Sequence, residues 1–358
     1  MSVTRLTQPS NQTGRGRASL KKAKGGSGTS QYNRSRDVSQ PFDAVLMIAF
    51  GGPQAQPDVR PFLANVLRGR RVAEGRLEEV AHHYEAVGGR SPITELTLAQ
   101  AEGLRERLAA AGTPLPVFVG MRNWHPYLGD TLEVMARAGI RRAVGFIAAA
   151  HRSYSSCTQY RENVRDARAG LARAGLPDVE VTYVPDWYHH PLFIEANADR
   201  VAAVLGPSDP RAQLVFTAHS IPESMSARYP YRAQFEETAR LVAERLGRGE
   251  YRTAYQSRSG RPEDPWLGPD VCDYLREART QGLEAAVLSP IGFVCDHVEV
   301  LYDLDIEAAG VCKSIGLPMA RAQAVNAHPR FLDMMADVVL GVCRRYERAR
   351  PLELVPAV

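Results

Sequence analysis

The sequence predicts an α/β fold of two doubly wound parallel sheets, and three observations point to it. Short, almost purely apolar runs recur along the chain, helical patterns lie between them, and about eight such units occur, more than one standard sheet needs. The first run, AVLMIAF from Ala44 to Phe50, is apolar throughout and stops at Gly51-Gly52-Pro53. A strand that is apolar on both faces belongs inside a parallel sheet covered by helices. Similar runs follow: VFVGM near Val117, AVGFIAA near Val144, VTYVP near Val181, QLVFTAHS near Leu214, TAYQS near Thr253 and AAVLSPIGFV near Ala285. Between them, LTLAQAEGLRERLAAAG ends at Gly112, a residue suited to a helix C-cap, and TLEVMARAGI and QFEETARLVAERLG carry helical patterns too. These elements divide into an N-terminal half over 41–188 and a C-terminal half over 189–324. A last helical pattern within 325–350 is expected to pack back on the first half. No repeat is visible in the sequence itself.

Bulk composition narrows the class. The net charge of +4 is unevenly spread, because residues 1–40 hold eight Arg and Lys against one acid, leaving −3 for the remainder. That basic segment has almost no large apolar residues and is expected to be a disordered tail, so its charge is no sign of a nucleic-acid partner for the folded part. Five cysteines, Cys157, Cys272, Cys295, Cys312 and Cys343, are widely spaced with no C-x-x-C, which argues against a disulfide framework or a zinc ribbon. No apolar run approaches the roughly 18 residues that span a bilayer, and no signal-peptide pattern occurs. The expectation is a cytoplasmic protein with at most peripheral membrane contact.

In doubly wound folds ligands bind beyond the carboxyl ends of the strands. Gly51-Gly52-Pro53, Arg122, His151, His219-Ser220 and Asp296 to Glu299 all follow apolar runs. Nucleotide motifs are absent: no G-x-G-x-x-G follows the first strand, no phosphate loop occurs, and Pro53 removes a donor where a phosphate cradle would need one. Neither a G-x-S-x-G elbow nor H-E-x-x-H is present. His219, in FTAHSIP, reads equally as a structural or a catalytic histidine. Glu299, Asp303 and Glu307 recur every fourth residue, so an α-helix would place them on nearly one face, where like charges cost a few tenths of a kcal/mol per pair. No lysine lies between them. Two readings stand: a path for a divalent cation, or an acidic face tolerated by a helix N-terminus. A closed structural zinc site is excluded because the thiolates are missing.

The chain resembles the ferrochelatase family across nearly all of residues 42–345. The resemblance lies in AFGGP at Ala49, DVRPFLANVLRGRRV at Asp58, RLEEVAHHYEAVGGRSPITELT at Arg76, GMRNWHP at Gly120, SSCTQYRENV at Ser155, FTAHSIP at Phe216, YQSRSGRPEDPWLGPDV at Tyr255 and PIGFVCDHVEVLYDLDIE at Pro290. SSCTQYRENV and DWYHHPLFIEA are closest to actinobacterial-type members. The resemblance implies two Rossmann-like domains with a porphyrin cleft between them, and insertion of Fe²⁺ into protoporphyrin IX or coproporphyrin III during haem synthesis. It places the active-site histidine on His219 and the essential glutamate on Glu299, with Asp296 and His297 beside it. The metal route falls on Asp303 and Glu307, and the residue against the macrocycle face on Phe50. Porphyrin propionates fall to Arg68, Arg70, Arg71 and Ser91, and Arg122 lines the cleft.

The chemistry suits these residue types. A free-base porphyrin loses two pyrrole protons as the metal enters, and a base of near-neutral pKa serves that step. His219 as base and His219 as metal ligand both stay open. Some actinobacterial-type members carry a [2Fe–2S] cluster on one central and three C-terminal cysteines. Cys157 matches the central position, but no cysteine follows Cys343, so no cluster is expected. The expected partners are porphyrin, ferrous iron and the preceding porphyrinogen oxidase. The competing readings are a cobalt or nickel chelatase for a corrinoid precursor, a non-catalytic tetrapyrrole carrier, and a sugar- or nucleotide-binding protein. His219 and Glu299 argue against the carrier, and the missing phosphate fingerprint against the last.

Overall fold

The computed structural model describes residues 40–68, 75–205, 211–259 and 263–348. The expected tail, apart from Gln40, lies outside the described residues, as do Arg70 and Arg71. Strands β1 (Ala44–Ala49), β2 (Val117–Met121), β3 (Arg142–Ile147) and β4 (Glu180–Tyr183) form one parallel sheet in the order β2-β1-β3-β4. Strands β5 (Ala212–His219), β6 (Tyr251–Gln256), β7 (Ala285–Ser289) and β8 (Met319–Arg321) form a second in the order β6-β5-β7-β8. Counted within each sheet, the two orders are identical. In both, the chain steps from the first strand to one side and then returns to the other, which opens a crevice beyond the strand ends.

The helices are α1 (Val59–Leu67), α2 (Arg76–Ala86), α3 (Ile93–Ala110), α4 (Leu128–Arg137), α5 (Gln159–Arg173), α6 (Pro191–Ala202), α7 (Glu223–Ser226), α8 (Tyr231–Arg245), α9 (Val271–Thr280), α10 (Val298–Leu301), α11 (Ala309–Ser314) and α12 (Pro329–Arg348). Two predicted features differ. The run AAVLSPIGFV is not one strand, because β7 stops at Ser289 and Pro290 has no N–H to continue the ladder. Strand β8 carries no apolar run at all, being three half-buried residues, MAR.

Every residue of β1 is buried, and its side chains alternate between two clusters. Val45, Met47 and Ala49 join Leu104, Phe146, Phe331 and Met335, in a cluster that also takes Leu214, Phe216 and Ala218 of β5. Ala44, Leu46 and Ile48 join Leu132, Tyr160 and Leu171. Period-two alternation with both faces apolar is what a central parallel strand requires. Each large side chain so buried contributes roughly 1.5–3 kcal/mol. Helix α12 packs on α3 and α6, with an Arg107–Asp333 ion pair of 2.5 Å at the α3 contact. One apolar core therefore continues from the first sheet into the second. Among the described residues no helix is long and apolar enough to cross a membrane.

Candidate functional site

His219 ends β5. Its Nδ1 donates to the Ser220 carbonyl, a contact that fixes the tautomer. The other nitrogen, Nε2, is thereby the acceptor of the neutral ring, and it lies 3.7 Å from Glu299 Oε1. The backbone that carries the imidazole is held from several sides. Tyr231 donates to the His219 carbonyl at 3.0 Å, while Ser220 reaches Gln256 O through its N–H (2.7 Å) and Leu267 O through its hydroxyl (2.7 Å). Gly292 crosses so close beneath β5 that a Cβ there would sit 2.5 Å from Ala218 Cα, and its N–H donates to Thr217 O at 3.0 Å. Burial opposes the imidazolium of His219, but Glu299, the Ser220 carbonyl and Asp303 outweigh it, and the pKa is raised above the ordinary histidine value.

Glu299 is placed by its backbone. Its N–H donates to His297 Nδ1 at 3.1 Å, making His297 the N-cap of α10, and its carbonyl accepts from Gln256 Nε2 at 2.6 Å. Burial, helped by the nearby His219, lowers the pKa of His297 against the pull of Glu299 and Asp296, so this ring serves as a neutral acceptor. Asp303 is 8% exposed and accepts from the Ser257 hydroxyl. Burial pushes its carboxyl up to about 7, with Glu299 and Glu307 adding to the shift and the Ser257 bond and His219 opposing it. Ser257 adopts φ 62, left-handed backbone that a side chain rarely takes, which costs on the order of 1–3 kcal/mol.

The acidic stretch is not the straight α-helix its spacing predicts. Asp303–Ala308 is π-helical, with Glu307 N–H donating to Tyr302 O at 2.9 Å, five residues back. Single π turns occur often at functional sites. The three acids do not form one solvated ridge. Asp303 is buried, the Glu299 side chain is 40% exposed, and Glu307 is exposed. Asp296 is committed elsewhere: Oδ1 takes Arg321 Nη1 (2.8 Å) and Ala324 N (3.2 Å), and Oδ2 takes Asn326 Nδ2 (2.8 Å).

A different wall rises from the first sheet. Phe50, directly after β1, meets Phe62 edge-on at 6.2 Å, and Phe62 meets Tyr84 and Trp124 in the same way. This aromatic cluster also holds Val298 and Tyr302, so it touches the acidic segment. His83 of α2 stacks on Tyr302 with ring centres 3.8 Å apart. Arg122 N–H donates to Ala49 O and Asn123 N–H to Phe50 O, each at 3.0 Å, which sets the end of β2 beside the end of β1. Tyr84 and Tyr160 lie within the field of Glu299; burial and that charge both raise their phenol pKa, and Arg122 pulls Tyr160 the other way. Ser91 is buried, donating its N–H to Pro53 O at 2.8 Å. Arg68 is exposed at the end of α1, bonded to Asn65 Oδ1 at 2.5 Å.

The structure thus gathers His219, His297, Glu299 and Asp303 on one side and aligns Phe50 with Arg122 on the first sheet. Gln256, Ser257 and Tyr231 were not among the sequence candidates, although Gln256 and Ser257 sit at a strand end, where such residues are to be sought. Among the described residues, no three His, Cys, Asp or Glu side chains close into a metal cage. The aromatic cluster meets the histidine and carboxylate group at Val298 and Tyr302. Such rings can pack against a flat apolar ligand, and an imidazole beside carboxylates can exchange protons.

Paired parallel sheets of one strand order, with those groups at their carboxyl ends, define an α/β protein of the chelatase type. The sirohydrochlorin chelatase SirB from Bacillus subtilis subspecies spizizenii, solved in complex with cobalt, shares the fold at a TM-score of 0.51 and 9% identity, over 86% of this chain and 97% of that one. Residues 42–341 match the ferrochelatase family. A ferrochelatase from Rhodopirellula baltica is 46% identical over 303 residues, 84% of this chain and 86% of the relative. A coproporphyrin III ferrochelatase from Mycobacterium avium is 46% identical over 301 residues, 83% and 87% of the two chains. The chain belongs to the ferrochelatase family. It is a lyase of haem biosynthesis, with porphyrin and Fe²⁺ as substrates.

Proposed function

We propose that this enzyme inserts Fe²⁺ into coproporphyrin III, with protoporphyrin IX as the poorer substrate. The observation that carries the site assignment is the His219–Glu299 pair. One ring nitrogen is tied to the Ser220 carbonyl, and the other faces a carboxylate at 3.7 Å. His219 Nε2 takes one of the two pyrrole protons as the metal enters, Glu299 stabilises the imidazolium that forms, and the second proton passes to solvent water. Metal ligation by His219 is the second reading, supported by the same acceptor nitrogen. Asp303 and Glu307 pass iron toward Glu299, and the rise in exposure from Asp303 to Glu307 supports an inward route. Phe50 lies against the macrocycle and Arg122 lines the cleft. The propionates fall to Arg68, Arg70, Arg71 and Ser91, where charge-assisted bonds fix their register. His297 and Asp296 act by positioning Glu299 rather than by touching the ring, which the hydrogen bonds of both support.

Coproporphyrin III is favoured because relatives of that name, from Mycobacterium avium and Streptomyces coelicolor, are 46% and 43% identical to this chain. The enzyme carries no [2Fe–2S] cluster. The five cysteines are widely spaced in the sequence and include no C-x-x-C pair, which supports that reading. It acts in the cytoplasm and receives its ring from a porphyrinogen oxidase. Anaerobic turnover with Fe²⁺ and each porphyrin in parallel tests the reading. A kcat/KM ratio favouring coproporphyrin III supports it, and a ratio favouring protoporphyrin IX overturns the substrate assignment.

A further inference from the structure

Arg321, the last residue of β8, lies in no motif, yet it joins two segments that bracket Glu299. Its side chain is only 12% exposed. Nε and Nη2 fork onto the two oxygens of Asp305 at 2.8 and 2.5 Å, and Nη1 reaches Asp296 Oδ1 at 2.8 Å. Asp296 precedes Glu299 in the β7–α10 loop, and Asp305 lies in the π turn two residues beyond Asp303. The loop is fixed further by Asn326, whose Oδ1 accepts from Asp296 N–H at 2.8 Å. Gln100, fully buried on α3, donates to both Val294 O and Asn326 O at 3.0 Å.

The geometry has a purpose beyond cohesion. β6 and β8 are the two edges of the second sheet. Asp303 is bonded to Ser257, just past β6, and Asp305 to Arg321, at the end of β8. The π turn is therefore strung across the carboxyl end of the sheet and pinned at both edges. A π turn is rarely stable on its own. A guanidinium taken out of water also costs several kcal/mol unless well paired, so a buried pair of this kind is weak as a source of stability.

We propose that Arg321 is a positioning residue for iron: by pinning Asp296 and Asp305 it sets the spacing between Glu299 and the carboxylates of Asp303 and Glu307. This rests on the reading of Glu299 and Asp303 as iron-handling groups. The test is steady-state kinetics with iron and porphyrin varied separately, on Arg321→Gln, Asp305→Asn, their double variant and Glu299→Gln, each with its Tm. Asp305→Asn and Arg321→Gln each raise the KM for Fe²⁺ by about tenfold while porphyrin KM stays within about twofold. The double variant is no worse than Arg321→Gln, because both act through one contact. Arg321→Lys, which keeps the charge but loses the fork, falls in between. An unchanged iron KM in the single variants overturns the proposal, as does a rise in both KM values alongside a fall in Tm. Should Arg321→Gln not fold, Asp305→Asn decides, since its carboxylate is 37% exposed. Wild-type turnover by Glu299→Gln removes the underlying site reading. An inactive Glu299→Gln beside clamp variants of normal iron KM removes the clamp alone.

Discussion

The two sheets share one strand order and differ in what stands at the strand ends. β1 and β5 are equivalent central strands. The first is followed by Phe50 and Gly51-Gly52-Pro53, and the second ends at His219 and runs into Ser220-Ile221-Pro222. Topology supplies a crevice in both halves, and under the proposed function the residues at its rim divide the labour. The β1 side presents rings that can grip an apolar macrocycle. The β5 side presents an imidazole and carboxylates that can exchange protons and iron. Nothing in the sequence repeats between the halves, because a shared strand order constrains burial alone and leaves the rim free to diverge.

If the β5 side does the chemistry, the largest effect belongs to Glu299→Gln. It lowers kcat by about 10²–10³-fold, the range for losing a preorganised group that stabilises developing charge, with porphyrin affinity retained. Anaerobic turnover and porphyrin titration together check it, and loss of porphyrin binding instead would shift Glu299 to a ring-holding role.

Two glycines sharpen the same contrast in stability. A Cβ at Gly292 meets backbone, Ala218 Cα at 2.5 Å, whereas one at Gly52 meets side chains, Ile93 Cγ2 at 2.6 Å and Ser91 Cβ at 2.9 Å. Side chains can yield where backbone cannot. Gly292→Ala therefore destabilises by about 1–3 kcal/mol and Gly52→Ala by less, as denaturant midpoints would register. Equal losses would mean that the β1 rim is as rigid as the β5 rim.

A further effect is the pH dependence of stability at Asp303. Its folded pKa is raised from 3.8 to about 7. Below the unfolded value both states are protonated and there is no penalty. As pH rises from about 4 to 7 the unfolded chain releases its proton first, so stability falls, and above the folded value the penalty is complete. Asp303→Asn removes it, and the variant's Tm advantage grows from pH 5 to pH 8. A constant difference across that range would place the carboxyl in an unperturbed setting. The gain in stability comes with weaker iron handling, a trade expected where a site holds a strained group.

Much of the fold was legible because central parallel strands are apolar on both faces and stop at glycine, proline or a polar rim residue. β8 was not legible, since Met319–Arg321 is short and half-buried. The π turn was hidden for a different reason: Glu299, Asp303 and Glu307 show the same spacing whether the turn closes four or five residues back. His219 and Glu299 were individually visible, but their meeting joins segments 80 residues apart, and only the family resemblance linked them. Gln256, Ser257 and Arg321 are lone polar residues whose partners lie 43, 46, 16 and 25 positions away. No local pattern carries such pairs.

The most direct test of the account is His219→Ala, followed by single-turnover metallation with Fe²⁺ under anaerobic conditions and by porphyrin titration through the ring's visible spectrum. The account predicts that porphyrin still binds with little loss of affinity while metallation slows by about 10²-fold or more. Metallation at a near-wild-type rate would remove His219 from the chemistry and contradict the division of labour between the two rims.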